Sequence, residues 1–130
     1  MNQVFLIMER SINLKFFTDE EFERCSPSCK KEQCNADSLR RLDRAREVAG
    51  IPFVLSSAYR SREHEVSKGR SGTGAHTEGR AFDIRCSTSR DRWLIVHAAM
   101  VSGFTRIGIA NTFVHLDDSP NLTQSVIWLY

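Results

Sequence analysis

Helical periodicity early in the chain and again in one middle stretch, set against short β-type segments gathered in the second half, predicts an α+β fold. The expected architecture is a small, mostly antiparallel sheet covered by helices. The 130 residues, 41% apolar and 26% charged, suit a single domain with one core. Residues 1–34 read as an N-terminal helix and a cysteine-rich loop, and residues 35–130 as the main body.

Each element follows from local chemistry. In "FFTDEEFERC", Thr18 with Glu21 three residues on has the capping-box pattern of a short helix, which the Pro27 loop ends. "NADSLRRLDRAREVAG" then places Leu39, Leu42, Ala45, Val48 and Ala49 along one side at helical spacing, and Gly50 and Pro52 stop it. "PFVLSSAY" reads as a buried strand, followed by a helical turn from Ser61 and the glycine-rich "GRSGTG", which reads as a mobile rim. "RAFDIRC" is a second strand. "STSRDRWLIVHAAMVSG" predicts a helix capped by Ser87 or Ser89, with Trp93, Val96, His97 and Met100 along one flank and Gly103 closing it. "FTRIGIA" and "TFVHLDD" form a hairpin about Asn111, and "SVIWLY" adds a last strand. Trp93 and Trp128 are expected as core anchors.

Charge and targeting signals exclude several classes. Eighteen basic against sixteen acidic side chains give a net charge of +2 with no run of five or six like charges, so no nucleic-acid partner is implied. The apolar "VFLIM" at residues 4–8 lacks the flanks of a secretory signal, and no stretch approaches the roughly 20 apolar residues of a membrane span. A monomer made in the cytoplasm is the expectation. Of the four cysteines, Cys25, Cys29 and Cys34 crowd one loop and Cys86 stands apart. They read as a second, structural metal site at Cys25, Cys29 and Cys34, as one or two disulfides, or as unpaired thiols.

Strand alternation isolates the residues able to carry chemistry. Asp83 shares a face with Ala81 and Arg85, opposite Phe82 and Ile84; His115 shares one with Phe113 and Asp117, opposite Val114 and Leu116. If the two strands are neighbours, Asp83 and His115 converge, and the glycine-flanked loop brings His76 to them. Two imidazoles and a carboxylate with an open fourth position make a catalytic zinc site, which lowers the pKa of bound water to about 7 and suits hydrolysis. Each residue alone has a plainer explanation: a solvated loop histidine, an aspartate satisfied by Arg80 or Arg85, a half-buried strand histidine. A Ser57–His76–Asp83 nucleophile triad lacks the Gly-x-Ser-x-Gly elbow, and "GRSGTG" lacks the ending of a phosphate loop.

From about Cys25 onward, "SSAYRSREH", "GAHTEGRAFDI" and "GFTRIGIANTFVHLDD" together resemble the ordered motifs of the zinc D-alanyl-D-alanine carboxypeptidase family. That family's fold group includes the lysostaphin-type peptidases and the hedgehog domain, and the likeness is greatest to small phage-encoded cell-wall peptidases. The resemblance implies that residues 35–130 are a catalytic core with His76, Asp83 and His115 as ligands of one Zn2+. It also implies that Arg60 faces the scissile carbonyl and that Ser57 and Tyr59 shape the pocket. The implied substrate is the peptide part of peptidoglycan, cut at the bacterial cell wall after release.

The chain departs from that pattern twice. Gly74 stands where many relatives carry a serine, and Thr112 and Phe113 occupy positions where the better-known enzymes carry the proton-accepting acid or histidine. Asp117, then Glu78, then His64 are the substitutes for that base, with Asp117 also suited to orienting a ligand imidazole. Two rival readings follow: a catalytically silent zinc-containing module that binds cell wall or protein, and a structural protein whose cysteine loop holds a metal.

Overall fold

The computed structural model describes residues 12–130, so the "VFLIM" segment lies outside the described residues. The elements in order are α1 (Asp19–Glu23), a 3-10 turn (Lys31–Gln33), α2 (Ala36–Ala49), β1 (Leu55–Ser57), α3 (Arg62–Ser67), β2 (Ala81–Arg85), α4 (Ser89–Ser102), β3 (Arg106–Ile109), β4 (Phe113–Asp117) and β5 (Val126–Leu129). The strands form one α+β sheet in the order β1-β2-β4-β3-β5. All neighbours are antiparallel except β3 and β5, which run parallel.

The core lies on one face of this sheet. Phe82, Ile84, Val114, Leu116 and Ile107 point into it, and helices α2 and α4 cover it with Leu39, Leu42, Ala45, Ile95, Ala98 and Ala99, all buried. Burying one such large side chain contributes about 1.5–3 kcal/mol, so this face fixes the register of β2, β3 and β4. Asn35 caps α2 by accepting the Ser38 N–H, and Gly50 ends it in the left-handed conformation. Ser61 caps α3 in the same way through the His64 N–H.

Several local expectations are corrected. Thr18 precedes α1 with no side-chain cap; Glu21 is drawn instead to Arg46, whose Nη1 donates to it at 3.0 Å. Val48 is exposed rather than part of the buried stripe. The cap of α4 is Thr88, accepting the Asp91 N–H at 3.1 Å, and neither Ser87 nor Ser89. Nor does the flank of Trp93, His97 and Met100 face the core: it is exposed, with Trp93 stacked on His97, while Ile95, Ala98, Ala99 and Ser102 are buried. Apolar residues surround α4, so periodicity cannot choose a face; small residues do, by letting α2 approach closely. Strand β1 is also shorter than "PFVLSSAY", because a register shift between Leu55 and Ser57 interrupts its pairing with β2.

Candidate metal centre

Register builds the site on the face opposite the helices. Ser57 pairs with Asp83, Asp83 with His115, His115 with Gly108, and Gly108 with Trp128, so one transverse row crosses all five strands. In-register residues on neighbouring strands point the same way, about 4.8 Å apart, which brings Asp83 and His115 side by side. His76 arrives from the loop before β2. The Gly74 φ of +127° disfavours any side chain there, which accounts for the missing serine.

The three side chains meet. His76, Asp83 and His115 each offer a ligand atom, all within 4.8 Å of one another, and all three residues are buried. Among the described residues no other such cluster of histidine, cysteine and carboxylate groups forms. His115 Nδ1 lies 3.0 Å from Asp83 Oδ1, and His76 Nε2 lies 3.4 Å from Asp83 Oδ2.

The outer nitrogens show why this set fits a cation. His76 Nδ1 sits 2.6 Å from the Ala58 carbonyl, which can only accept, so Nδ1 carries the proton and a neutral ring turns the lone pair of Nε2 inward. That Nε2 is buried without a hydrogen-bond partner. His115 Nε2 lies 2.6 Å from Asp117 Oδ2 and likewise donates outward, leaving Nδ1 to face the Asp83 carboxylate. Three lone-pair donors then point at one another, a repulsive arrangement that a shared cation, or a proton on His115, relieves. Burial drives the His115 pKa down, but hydrogen bonds to Asp117 and Asp83 more than reverse this and raise it. Burial drives Asp83 up, but the pull of the two imidazoles beside it, His115 before His76, outweighs this and holds its carboxyl well below the ordinary carboxylate range.

The remaining predicted residues surround this centre. Asp117, 1% exposed, binds His115 through Oδ2, while Oδ1 accepts the Ser119 N–H at 3.0 Å and lies 2.9 Å from Arg106 Nε. Sealed and fully engaged, it orients an imidazole. Glu78 is half-buried and accepts from Ser119 Oγ at 2.7 Å and Asn121 Nδ2 at 3.0 Å, latching the His76 loop to the segment after β4. Arg60 donates to Ser57 Oγ at 3.3 Å and pairs with Glu65 at 3.4 Å, while its main-chain N–H holds the His76 carbonyl at 3.2 Å. Tyr59 packs against the core edge, and His64 is half-buried in the first turn of α3. The "GRSGTG" rim is tied back to α3, Arg70 Nε donating to Glu65 at 3.0 Å.

Two sequence readings change here. Cys25, Cys29 and Cys34 are not a ligand group: with Cys86 they are buried, unpaired thiols that fill the core. Trp128, expected as a core anchor, is half-buried beside the metal centre, its ring centroid 5.3 Å from that of His115. Gly108 was the available signal. A Cβ there would meet the indole at 2.7 Å, so the glycine in "RIGIA" marks a place where another group lies across the strand.

A small sheet presenting a buried His–Asp–His set on its polar face matches the three-ligand pattern of catalytic zinc sites. The family model for peptidase M15 matches residues 15–117, and the chain belongs to that family of zinc metallopeptidases. No curated protein matches the chain.

Proposed function

We propose that the protein hydrolyses an amide bond in the peptide part of bacterial peptidoglycan, as a carboxypeptidase or an endolysin-type endopeptidase. The observation that carries the chemistry is the convergence of three buried lone-pair donors, one of them, His76 Nε2, without any other partner. The peptidoglycan substrate rests on the resemblance of the "SSAYRSREH" and "GAHTEGRAFDI" motifs to small phage-encoded cell-wall peptidases.

His76, Asp83 and His115 would hold the zinc ion. When bound, zinc polarises the scissile carbonyl and lowers the pKa of the attacking water. The protein does the rest. Ala58 O and Asp117 fix the two imidazole tautomers so that both inner nitrogens are free to ligate. Arg60, braced by Ser57 and Glu65, stabilises the oxyanion that develops on the carbonyl oxygen, while Tyr59 shapes the pocket wall. Glu78, rather than Asp117, takes the proton released by the attacking water and returns it to the leaving amine. Glu78 retains access to water and lies two residues from His76, whereas Asp117 is sealed by Arg106, Ser119 and His115. Released from the cytoplasm as a monomer, the protein acts at the cell wall.

Digestion of purified peptidoglycan with and without chelator tests this reading. New amine ends should appear with zinc-loaded protein and vanish on chelation, and Glu78→Gln should retain zinc while losing about 100-fold or more in rate. Full activity in Glu78→Gln would remove Glu78 from the relay. A second reading, a silent zinc-containing binding module, is favoured by Thr112 and Phe113, which cannot accept a proton. It holds if the wild type binds walls and releases no new ends.

A further inference from the structure

The transverse row continues past the metal centre to an aromatic end. Gly108 separates His115 from Trp128, and its missing side chain lets the indole lie across β3. Arg106, ion-paired with Asp117, also holds its guanidinium 5.0 Å from the Trp128 ring centroid. Tyr130 lies two residues further on, 6.3 Å from Trp128 and 5.1 Å from Phe113, and is 67% exposed. Phe113, one of the two positions where the resembled enzymes carry their base, here supports Tyr130.

These rings are fixed from below and open at their outer end. A structural aromatic cluster is buried, whereas one held rigid beside a reactive centre and left in contact with water presents a surface for a ligand. Shape and polarity define that ligand. An aliphatic side chain calls for an enclosing pocket, which an open sheet edge does not provide. The flat C–H face of a pyranose matches open aromatic rings, and its hydroxyls can reach the exposed phenol of Tyr130. The end of the row beyond β2 differs, since Arg60 supplies a cation there.

We infer that Trp128 and Tyr130 form a saccharide subsite, which seats a sugar of the glycan strand beside the peptide being cut. This rests on the reading of the chain as a wall peptidase. The Trp128 ring centroid lies 5.3 Å from that of His115 and Tyr130 lies beyond it, so a sugar seated on these rings leaves the adjoining peptide within reach of His115 and Asp83.

The test compares one stem peptide in two forms, free and attached to its N-acetylated disaccharide, with zinc-loaded wild type, Trp128→Leu and Tyr130→Ala, zinc content being measured in each. The wild type should cleave the sugar-linked form with a kcat/KM about tenfold higher, through KM, and both variants should bring that ratio close to one. Equal wild-type rates on the two forms, or variants that keep the preference, overturn the subsite. If the wild type cleaves neither form, the peptidase reading fails instead, and a fluorescence titration with the free disaccharide still decides the subsite. A saturable change present in wild type and weakened in Tyr130→Ala, which keeps both tryptophans, supports it; no change in wild type refutes it.

Discussion

His76, Asp83 and His115 turn their lone pairs toward one another, whereas Cys25 and Cys29, equally buried, donate their thiols to the main-chain carbonyls of Glu21 and Phe22 at 3.5 and 3.7 Å. Contact with Cys29, together with burial, pushes the Cys25 and Cys34 thiols above the ordinary range, while contact with Cys25 and Cys34 lowers Cys29 to about 3. Residue type alone would nominate both clusters for a metal. What separates them is the outer partner. Each histidine has an acceptor behind it that forces the opposite nitrogen to face inward, and the sulfurs form no such ligand group among the described residues.

The largest expected effect breaks this contrast directly. His76→Ala, Asp83→Ala and His115→Ala should each lower bound zinc from about one equivalent to a small fraction of it by elemental analysis. Cys29→Ala should keep the metal and lose only about 1–3 kcal/mol of stability in a denaturant titration, the ordinary cost of a small core cavity. A cysteine variant that loses zinc would reverse the assignment.

Next in size is Arg60→Ala. It should lower kcat by about 100-fold with zinc retained, the usual scale for removing one donor to a developing oxyanion. Asp117→Asn sharpens the role of the outer partners. The amide can present its NH2 to His115 Nε2 and upset the tautomer, so zinc affinity should fall about 10- to 100-fold in a competition titration with a chromophoric chelator.

The smallest effect concerns the scaffold under Arg60. Burial pushes Glu65 up, but Arg70 and Arg60 outweigh it and hold its pKa below the usual 4.5. A depressed carboxyl stabilises the fold above its unfolded pKa, and that contribution is lost as pH falls through the folded value. Chemical denaturation of the zinc-free protein should therefore show stability declining below about pH 4.5, with a shallower decline in Glu65→Gln. An unchanged slope would remove Glu65 from this role.

Much of this is legible in the sequence. Alternation in "RAFDIRC" and "TFVHLDD" placed Asp83 and His115 opposite the core, because a strand with one buried face has a fixed two-residue period. The Leu39, Leu42 and Ala45 stripe was equally plain. Other features depend on pairings between distant segments. The parallel docking of β5 on β3 decides that Trp128 borders His115, and no local pattern encodes it. Asp117 was visible as a neighbour of His115, yet its commitment to orientation follows from Arg106, a partner supplied by β3. The Thr88 cap differs by one residue from two chemically equivalent serines, finer than propensity resolves.

Zinc-edge X-ray absorption of the loaded protein bears most directly on the contrast between the two clusters. The account predicts a shell of imidazole nitrogens and carboxylate or water oxygens at about 2.0–2.2 Å, with no sulfur. A sulfur shell near about 2.3 Å would place the metal among the cysteines and contradict it.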